Sequence, residues 1–131
     1  GFVYIVDHCN DMAAAYMLAD AVVVADREPR AFSRVVTEAQ AMGRPVIASS
    51  AGGIAEPLEQ GETGWVVPVG DADALAKALR QVLGLEAAQR AELADAAIQH
   101  ARANFALETV GEQILAVYDS LLETLWAELR T

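Results

Sequence analysis

A glutamate and an arginine eight residues apart carry the clearest indication of chemistry in this sequence. They lie in residues 27–45, which open as a polar loop, continue as a helix and end at a Gly-Arg-Pro stop. Glu38 lies inside the helix, where a carboxylate could accept hydrogen bonds from a ligand's diol. Arg30 lies in the preceding loop, where a guanidinium could pair with an anion.

The helical repeat decides how far Glu38 lies from solvent. A helix turns about 100° per residue, and apolar residues then define one buried face: Phe32, Val35, Val36, Ala39 and Met42. Glu38 falls about 100° from the centre of that face, at its boundary. The residue pattern alone leaves two interpretations open, a solvated helix glutamate and a ligand contact.

The loop at residues 26–31 leads into the amino end of this helix. The first backbone N–H groups of the helix, at about residues 32–34, have no acceptor within it and lie at the positive end of its dipole. Such a helix start suits a phosphate. The Ala-Gly-Gly sequence at residues 51–53 offers a second flexible helix start.

The elements that must position these residues follow from the apolar pattern. Four short apolar runs predict strands, at residues 2–6, 21–25, 45–49 and 64–68. Each is β-branched and continuously apolar, which is typical of a parallel sheet covered on both faces. Helical segments separate them, at residues 10–19, 32–42 and 53–59. This order predicts an α/β fold, a Rossmann-like parallel sheet of about four strands with helices on both faces.

The rest of the chain, about residues 71–130, is predicted to be helical. Asp71 caps a first helix that Gly84 ends. A second, at about 86–103, turns four residues inward: Leu93, Ala97, Ile98 and Ala101. A third, at about 107–130, carries an apolar stripe: Val110, Ile114, Val117, Leu121 and Leu125, with Trp126 beside it. Core packing accounts for this stripe, and docking onto a partner domain stays open because three residues widen it: Leu122, Trp126 and Leu129.

Composition excludes several classes of function. The net charge of −10 argues against a nucleic-acid surface. No apolar run approaches the roughly 20 residues of a membrane span, and no secretory signal pattern opens the chain. The lone Cys9 fits a reducing compartment, and with His8 it completes no metal site. The motifs of dinucleotide-binding, P-loop and serine-hydrolase sites do not occur. A cytoplasmic location is therefore expected.

Residues 27–79, from "REPRAFSRVVTEAQAMGRPVIASSAGG" onward, resemble the donor-binding half of retaining glycosyltransferases that use nucleotide sugars and have the GT-B fold. The likeness is greatest to bacterial group 1 enzymes of lipopolysaccharide and glycan assembly. It extends upstream through "DHCNDMAAAYMLADAVVVA" and downstream to "ANFALETVGEQILAVYDSLL", so nearly all of residues 1–131 are identified as one partial nucleotide-sugar-binding domain.

The resemblance implies roles for particular residues. Glu38 matches the second of two family glutamates and would hold the ribose hydroxyls of the donor. Phe32, Ser33 and Arg34 match the segment whose amides meet the diphosphate. A loop near the donor is matched by three residues: Ala51, Gly52 and Gly53. The family implies no metal ligands in this domain and no cofactor, since the nucleoside diphosphate sugar is itself the substrate.

Three departures fall at the same site. Arg30 stands where the family carries its first, sugar-contacting glutamate, so its assignment as a catalytic position rests on its place alone. It could instead pair with the diphosphate, or remove sugar recognition. Ser33 stands where glycine is usual. Asp7 stands where glycine commonly follows a strand near the nucleotide base, and it adds bulk and negative charge.

The chain begins at Gly1, at what resembles the third strand of the family's donor domain. We therefore expect an N-terminally truncated fragment, inactive alone, whose sheet is completed by association of copies or strand exchange. A monomer with the family's strand order would contradict this. The full-length protein is expected to transfer a sugar to a glycan or lipid-linked acceptor, with retention. Two alternatives stand: a catalytically silent relative that serves binding or assembly, and an unrelated receiver- or flavodoxin-like α/β module.

Overall fold

A computed structural model of the protein describes residues 3–128, with side chains to residue 126. These residues form three strands and five α-helices, and the last three helices follow the third strand. Their bounds are α1 Met12–Leu18, β1 Val22–Val24, α2 Arg34–Ala41, β2 Val46–Ser49, a 3₁₀ turn Gly53–Ala55, β3 Gly64–Val67, α3 Ala72–Leu83, α4 Ala87–Phe105 and α5 Leu107–Glu128. No helix in this part of the chain has the length and apolarity that a bilayer crossing requires.

Strand β2 is the centre of the sheet. It pairs in parallel with β1 on one side and with β3 on the other, in the order β1-β2-β3. All four of its residues are buried. Parallel strands need crossover connections, and helices supply them here. The predicted fold class, a parallel sheet with helices on both faces, is confirmed.

The side chains of β2 alternate between two apolar clusters, as the two-residue repeat of a strand requires. Val46 and Ala48 pack with Val36 and Ala39 of α2. Ile47 points to the opposite face and packs with Ala78 and Val82 of α3, together with Val67. Helix α4 packs against α2 on the first side. Both faces of the sheet are therefore covered, which explains why β2 reads as a continuous apolar run.

The strand predicted at residues 2–6 is wrong where it can be checked. Phe2 lies outside the described residues. Residues 3–6 form no strand, and their side chains are 78–97% exposed. A strand requires a hydrogen-bonding neighbour as well as an apolar pattern, and none of the described strands lies beside this segment. The outer edge of β1 is likewise unpaired within the described sheet.

Helix α5 differs from its prediction in the same way. The stripe that we expected to pack into the core is largely exposed: Ile114, Val117, Leu121, Leu125 and Trp126 are 52–60% accessible. Leu129, which was predicted to widen the stripe, lies outside the described residues. The inward face predicted for α4 is confirmed at Leu93, Ala97 and Ala101, which are buried, and Ile98 is half-buried.

Two loops at the carboxyl edge of the sheet touch through their backbones. The Gly53 N–H donates to the Arg30 carbonyl oxygen at 2.7 Å, and the Arg30 N–H reaches the Ala51 carbonyl oxygen at 3.5 Å. A Cβ on Gly53 would lie 1.9 Å from the Ala31 oxygen. Gly52, at φ 62°, would place one 2.7 Å from the Arg30 oxygen. Only residues without a side chain allow the two backbones to approach this closely.

We therefore predict that Gly53→Ala destabilises the protein by roughly 1–3 kcal/mol, the usual cost of forcing extra atoms into a packed site. The measurement is the melting temperature of the full-length protein. Gly111→Ala is the matched control, because a Cβ at Gly111 meets nothing within 4 Å and alanine favours a helix. Equal melting temperatures for Gly53→Ala and the wild type would contradict this account of the loop contact.

Candidate functional site

An open groove of about 640 Å³ lies beside β1, between α1 and the amino end of α2. Strand β1 contributes Val23 and Val24 to its wall. The groove gathers the loop after β1, the start of α2 and one face of α1. Five of the residues predicted for the site line it: Arg30, Phe32, Ser33, Arg34 and Glu38.

The other predicted site residues lie elsewhere. Ala51, Gly52 and Gly53 do not line the groove; they lie behind the Arg30 loop and hold its backbone. The Gly53 N–H is already bonded to the Arg30 carbonyl. Asp7 is exposed in the irregular segment before α1 and does not line the groove either. The donor-binding role of these four residues stays a prediction.

The amino end of α2 is open towards the groove. Ser33 occupies the N-cap position, yet its side chain makes no capping hydrogen bond. The capping aspartates of α1 and α3 behave differently, since Asp11 accepts from the Ala14 N–H at 2.9 Å and Asp71 from the Ala74 N–H at 2.8 Å. The Val36 N–H donates to the Ser33 carbonyl at 3.2 Å, whereas the Arg34 and Val35 N–H groups keep the hydrogen-bonding capacity that an anion can use.

Glu38 is exposed at the edge of the groove. The predicted buried face of α2 is partly wrong, because Phe32 is 45% and Val35 39% exposed. That face instead buries Val36 and Ala39 together with Gln40, whose Nε2 donates to the Pro57 carbonyl at 2.9 Å. Rotating the buried face towards Gln40 leaves Phe32 and Val35 facing the groove.

Among the described residues, one side chain hydrogen-bonds to the Glu38 carboxylate. The Tyr16 hydroxyl on α1 donates to Glu38 Oε2 at 3.0 Å. Tyr16 is only 5% exposed. Burial first, then the hydrogen bond and the negative charge of Glu38, raise the pKa of Tyr16 to about 12, while the positive Arg34 opposes them. The hydroxyl therefore stays protonated, as a hydrogen-bond donor, across the physiological range.

Sequence reasoning missed Tyr16. One signal was available, because a buried tyrosine hydroxyl usually finds a hydrogen-bond partner. The partner itself lies 22 residues away on another helix. Only the packing of α1 against α2 brings the two together.

Arg30 is held by an ion pair. Its Nε lies 2.6 Å from Asp26 Oδ2, with the two side chains 65% and 37% exposed. An exposed pair of this kind contributes about 0–1 kcal/mol, so a stronger anionic ligand could displace Asp26. Within residues 3–128 the other close contact between a basic and an acidic side chain joins His100 and Glu59, and Arg34 enters neither. Arg34 therefore presents a cation to the groove without a carboxylate partner.

Aromatic contacts connect the groove to the end of α4. The centroids of the Phe32 and Phe105 rings lie 5.8 Å apart, and the centroid of the His100 ring also lies 5.8 Å from that of Phe105. His100 Nδ1 is 3.5 Å from Glu59 Oε1. These contacts give His100 a packing role at the end of α4.

Across residues 3–128, no three His, Cys, Asp or Glu side chains are arranged to hold a metal ion. Cys9 is a free thiol whose Sγ donates to the Asp11 carbonyl at 3.3 Å.

The sequence of this chain is similar to the sequences of known proteins. A family described as "Glycosyl transferases group 1" matches residues 1–84. The lipopolysaccharide core biosynthesis mannosyltransferase LpcC of Rhizobium leguminosarum bv. viciae is 41% identical over 99 residues, 76% of this chain and 28% of that protein. A D-inositol 3-phosphate glycosyltransferase of Corynebacterium urealyticum is 35% identical over 86% of this chain and 26% of its own length.

Solved structures with a similar fold belong to the same kind of protein. A glycosyltransferase of Rickettsia africae superposes with a TM-score of 0.80 at 31% identity, over 87% of this chain and 30% of that one. Anabaena Alr3699/HepE, solved in complex with UDP, gives 0.79 at 28% identity, over 86% and 30%. The chain thus spans less than a third of the length of each of these relatives. The family match covers well over half of the 131 residues, and the fold agrees with it. The chain belongs to the group 1 glycosyl transferases.

Proposed function

We propose that this chain forms the donor-binding part of a glycosyltransferase. The full-length protein would move a sugar from a nucleoside diphosphate sugar to a glycan or lipopolysaccharide-type acceptor, with retention of configuration. The proposal includes a cytoplasmic location, or one at the inner membrane surface, without a metal or cofactor in this domain. The fragment alone would be inactive, and copies of it would complete the open sheet by association or strand exchange.

One observation carries the proposal: an uncapped helix start and a carboxylate lie in the same groove. The free N–H groups at the start of α2 suit a diphosphate. Glu38 lies one turn further along the helix and suits the hydroxyls of a ribose. Family membership supports this reading, as does the structure of Alr3699/HepE solved in complex with UDP-glucose.

The direct test uses the full-length protein with UDP- and GDP-sugars and a panel of glycan acceptors. We expect release of the nucleoside diphosphate together with a new glycosidic bond. The anomeric configuration of that bond, read by nuclear magnetic resonance, should match that of the donor. An inverted product would contradict retention, and absence of both transfer and donor hydrolysis would contradict the proposed activity.

Glu38→Gln should weaken binding of UDP or GDP by roughly tenfold to a hundredfold. The reason is the loss of a charged acceptor, since a hydrogen bond to a charged group contributes about 1.5–3 kcal/mol. Titration calorimetry measures the dissociation constants. Inorganic pyrophosphate, which has no ribose, should bind the variant and the wild type equally.

The control for Glu38→Gln is Glu112→Gln, which removes the same charge from an exposed position on α5. An equal loss of pyrophosphate binding would show that Glu38 acts through the folding of the site. Its role as a ribose contact would then be wrong.

A second candidate function is a catalytically silent domain that serves binding or assembly. The ion pair between Arg30 and Asp26 favours it, because it places a neutralised pair where a sugar-contacting carboxylate is expected. Transfer by the wild-type protein would rule this candidate out. Restored donor binding in the double variant Arg30→Glu with Ser33→Gly would support it, as a degenerate site.

If the protein binds nucleotides, two single substitutions test whether Arg30 contacts the diphosphate. If Arg30 reaches the diphosphate, Asp26→Asn frees the guanidinium and tightens nucleoside diphosphate binding, whereas Arg30→Gln weakens it by roughly tenfold. Both effects should shrink as salt is added. Arg102→Gln, at an exposed position on α4, controls for the loss of one positive charge. Identical affinities for Arg30→Gln and Arg102→Gln would exclude the contact.

A further inference from the structure

The hydrogen bond between Tyr16 and Glu38 joins two elements that meet at the groove. Tyr16 belongs to α1 and Glu38 to α2, and both line the 640 Å³ groove and a neighbouring one of about 360 Å³ between the same two helices. The tyrosine ring is buried in the cluster under β2 with Val36 and Ala39. Its position is therefore fixed by the core, whereas the carboxylate that it holds is exposed.

An exposed glutamate on a helix ordinarily samples several rotamers, and ordering such a side chain costs conformational entropy. A hydrogen-bond donor that is anchored in the core, such as the Tyr16 hydroxyl, removes part of that entropy cost before a ligand binds. The carboxylate has about four lone-pair sites. The Tyr16 hydroxyl occupies one of them on Oε2, which leaves Oε1 and the second site of Oε2 able to accept from a ligand.

Arg34 does not perform this task. It lies one helical turn before Glu38, a spacing that often forms an ion pair. Within residues 3–128, basic and acidic side chains meet at Arg30–Asp26 and at His100–Glu59, so Arg34 and Glu38 form no ion pair. The Tyr16 hydroxyl is the group that orients Glu38.

We propose that Tyr16 is a positioning residue for the ligand's ribose: its hydroxyl holds the Glu38 carboxylate in the orientation that accepts hydrogen bonds from the vicinal diol. This inference rests on the proposed function, in which Glu38 contacts that diol. In this role Tyr16 acts through the Glu38 carboxylate and needs no contact of its own with the ligand. Its effect passes through one oxygen atom and is therefore specific to the ribose hydroxyls.

The protonation of Tyr16 suits this role. The pKa of Tyr16 is raised to about 12 from an ordinary value of about 10. The Tyr16 hydroxyl is therefore fully protonated, and able to donate its hydrogen bond, below pH about 10. It is lost only as pH rises through about 12. Glu38 and Arg34 are the charged groups that act on it, with opposite signs. Ribose discrimination should therefore be the same at pH about 7 and pH about 9.

The experiment compares the full-length wild type with Tyr16→Phe, which keeps the buried ring and removes only the hydroxyl. Ligands are UDP and GDP with their 2′-deoxy and 3′-deoxy forms, and the readout is the ratio of deoxy to ribose dissociation constants. We expect a ratio of roughly ten or more for the wild type. Tyr16→Phe should lower it by about threefold to tenfold, and Glu38→Gln should bring it near one.

Two controls separate positioning from folding. Tyr118→Phe removes a hydroxyl from an exposed tyrosine on α5 and should leave the ratio unchanged. Pyrophosphate should bind Tyr16→Phe as it binds the wild type, whereas a merely structural loss would weaken every ligand together.

The outcomes also distinguish the inference from the function on which it rests. A wild type that binds neither UDP nor GDP, or that binds deoxy and ribose forms alike, would overturn the assignment of Glu38. A wild type with the expected ratio, matched by an equal ratio in Tyr16→Phe, would overturn the positioning role alone.

Discussion

The two-sided burial of strand β2 is the constraint on which the rest of this structure depends. Its side chains alternate between the α2 face and the α3 face, and its backbone pairs with both neighbours. Ser49, the last residue of β2, then connects the strand to the loop that lines the groove. The Ser49 hydroxyl donates to the Asp26 carbonyl at 2.7 Å, Asp26 pairs with Arg30, and the Arg30 carbonyl accepts from Gly53. The groove is thus tied to the core by consecutive short contacts.

Much of this fold could be predicted because local pattern and tertiary packing agree in its centre. The continuous apolar runs at β1, β2 and β3 and the capping aspartate before α3 gave the correct order of elements. The run at residues 2–6 and the stripe of α5 failed for one shared reason. Apolarity shows that a segment gains by burial, but it does not show whether a neighbour is present to bury it. In the described part of the chain, residues 3–6 lie beside no strand, and the contact of α5 with α4 leaves most of the α5 stripe exposed.

The site was predictable to a different extent. Helical periodicity placed Glu38 near the edge of the buried face, and the loop pattern placed a free helix start beside it. The partners of these groups were not visible, because Tyr16 and Asp26 reach them through tertiary packing and loop geometry. The buried Gln40 shows the same limit, since its bonds to Pro57 and Thr63 span 17 and 23 residues. Contacts between elements therefore decide which residues of a helix are buried, and the apolar pattern of the helix gives this only approximately.

The loop from Asp26 to Ser33 is held from several directions: by Ser49, by Gly53 and by the contact of Phe32 with Phe105. Its conformational entropy is therefore lost when the protein folds. A ligand entering the groove meets a surface already in shape, so little of its interaction energy is consumed in ordering the chain. Such preorganisation favours a short, rigid contact set over a closing lid, and it makes the affinity of the groove sensitive to small displacements of the loop backbone.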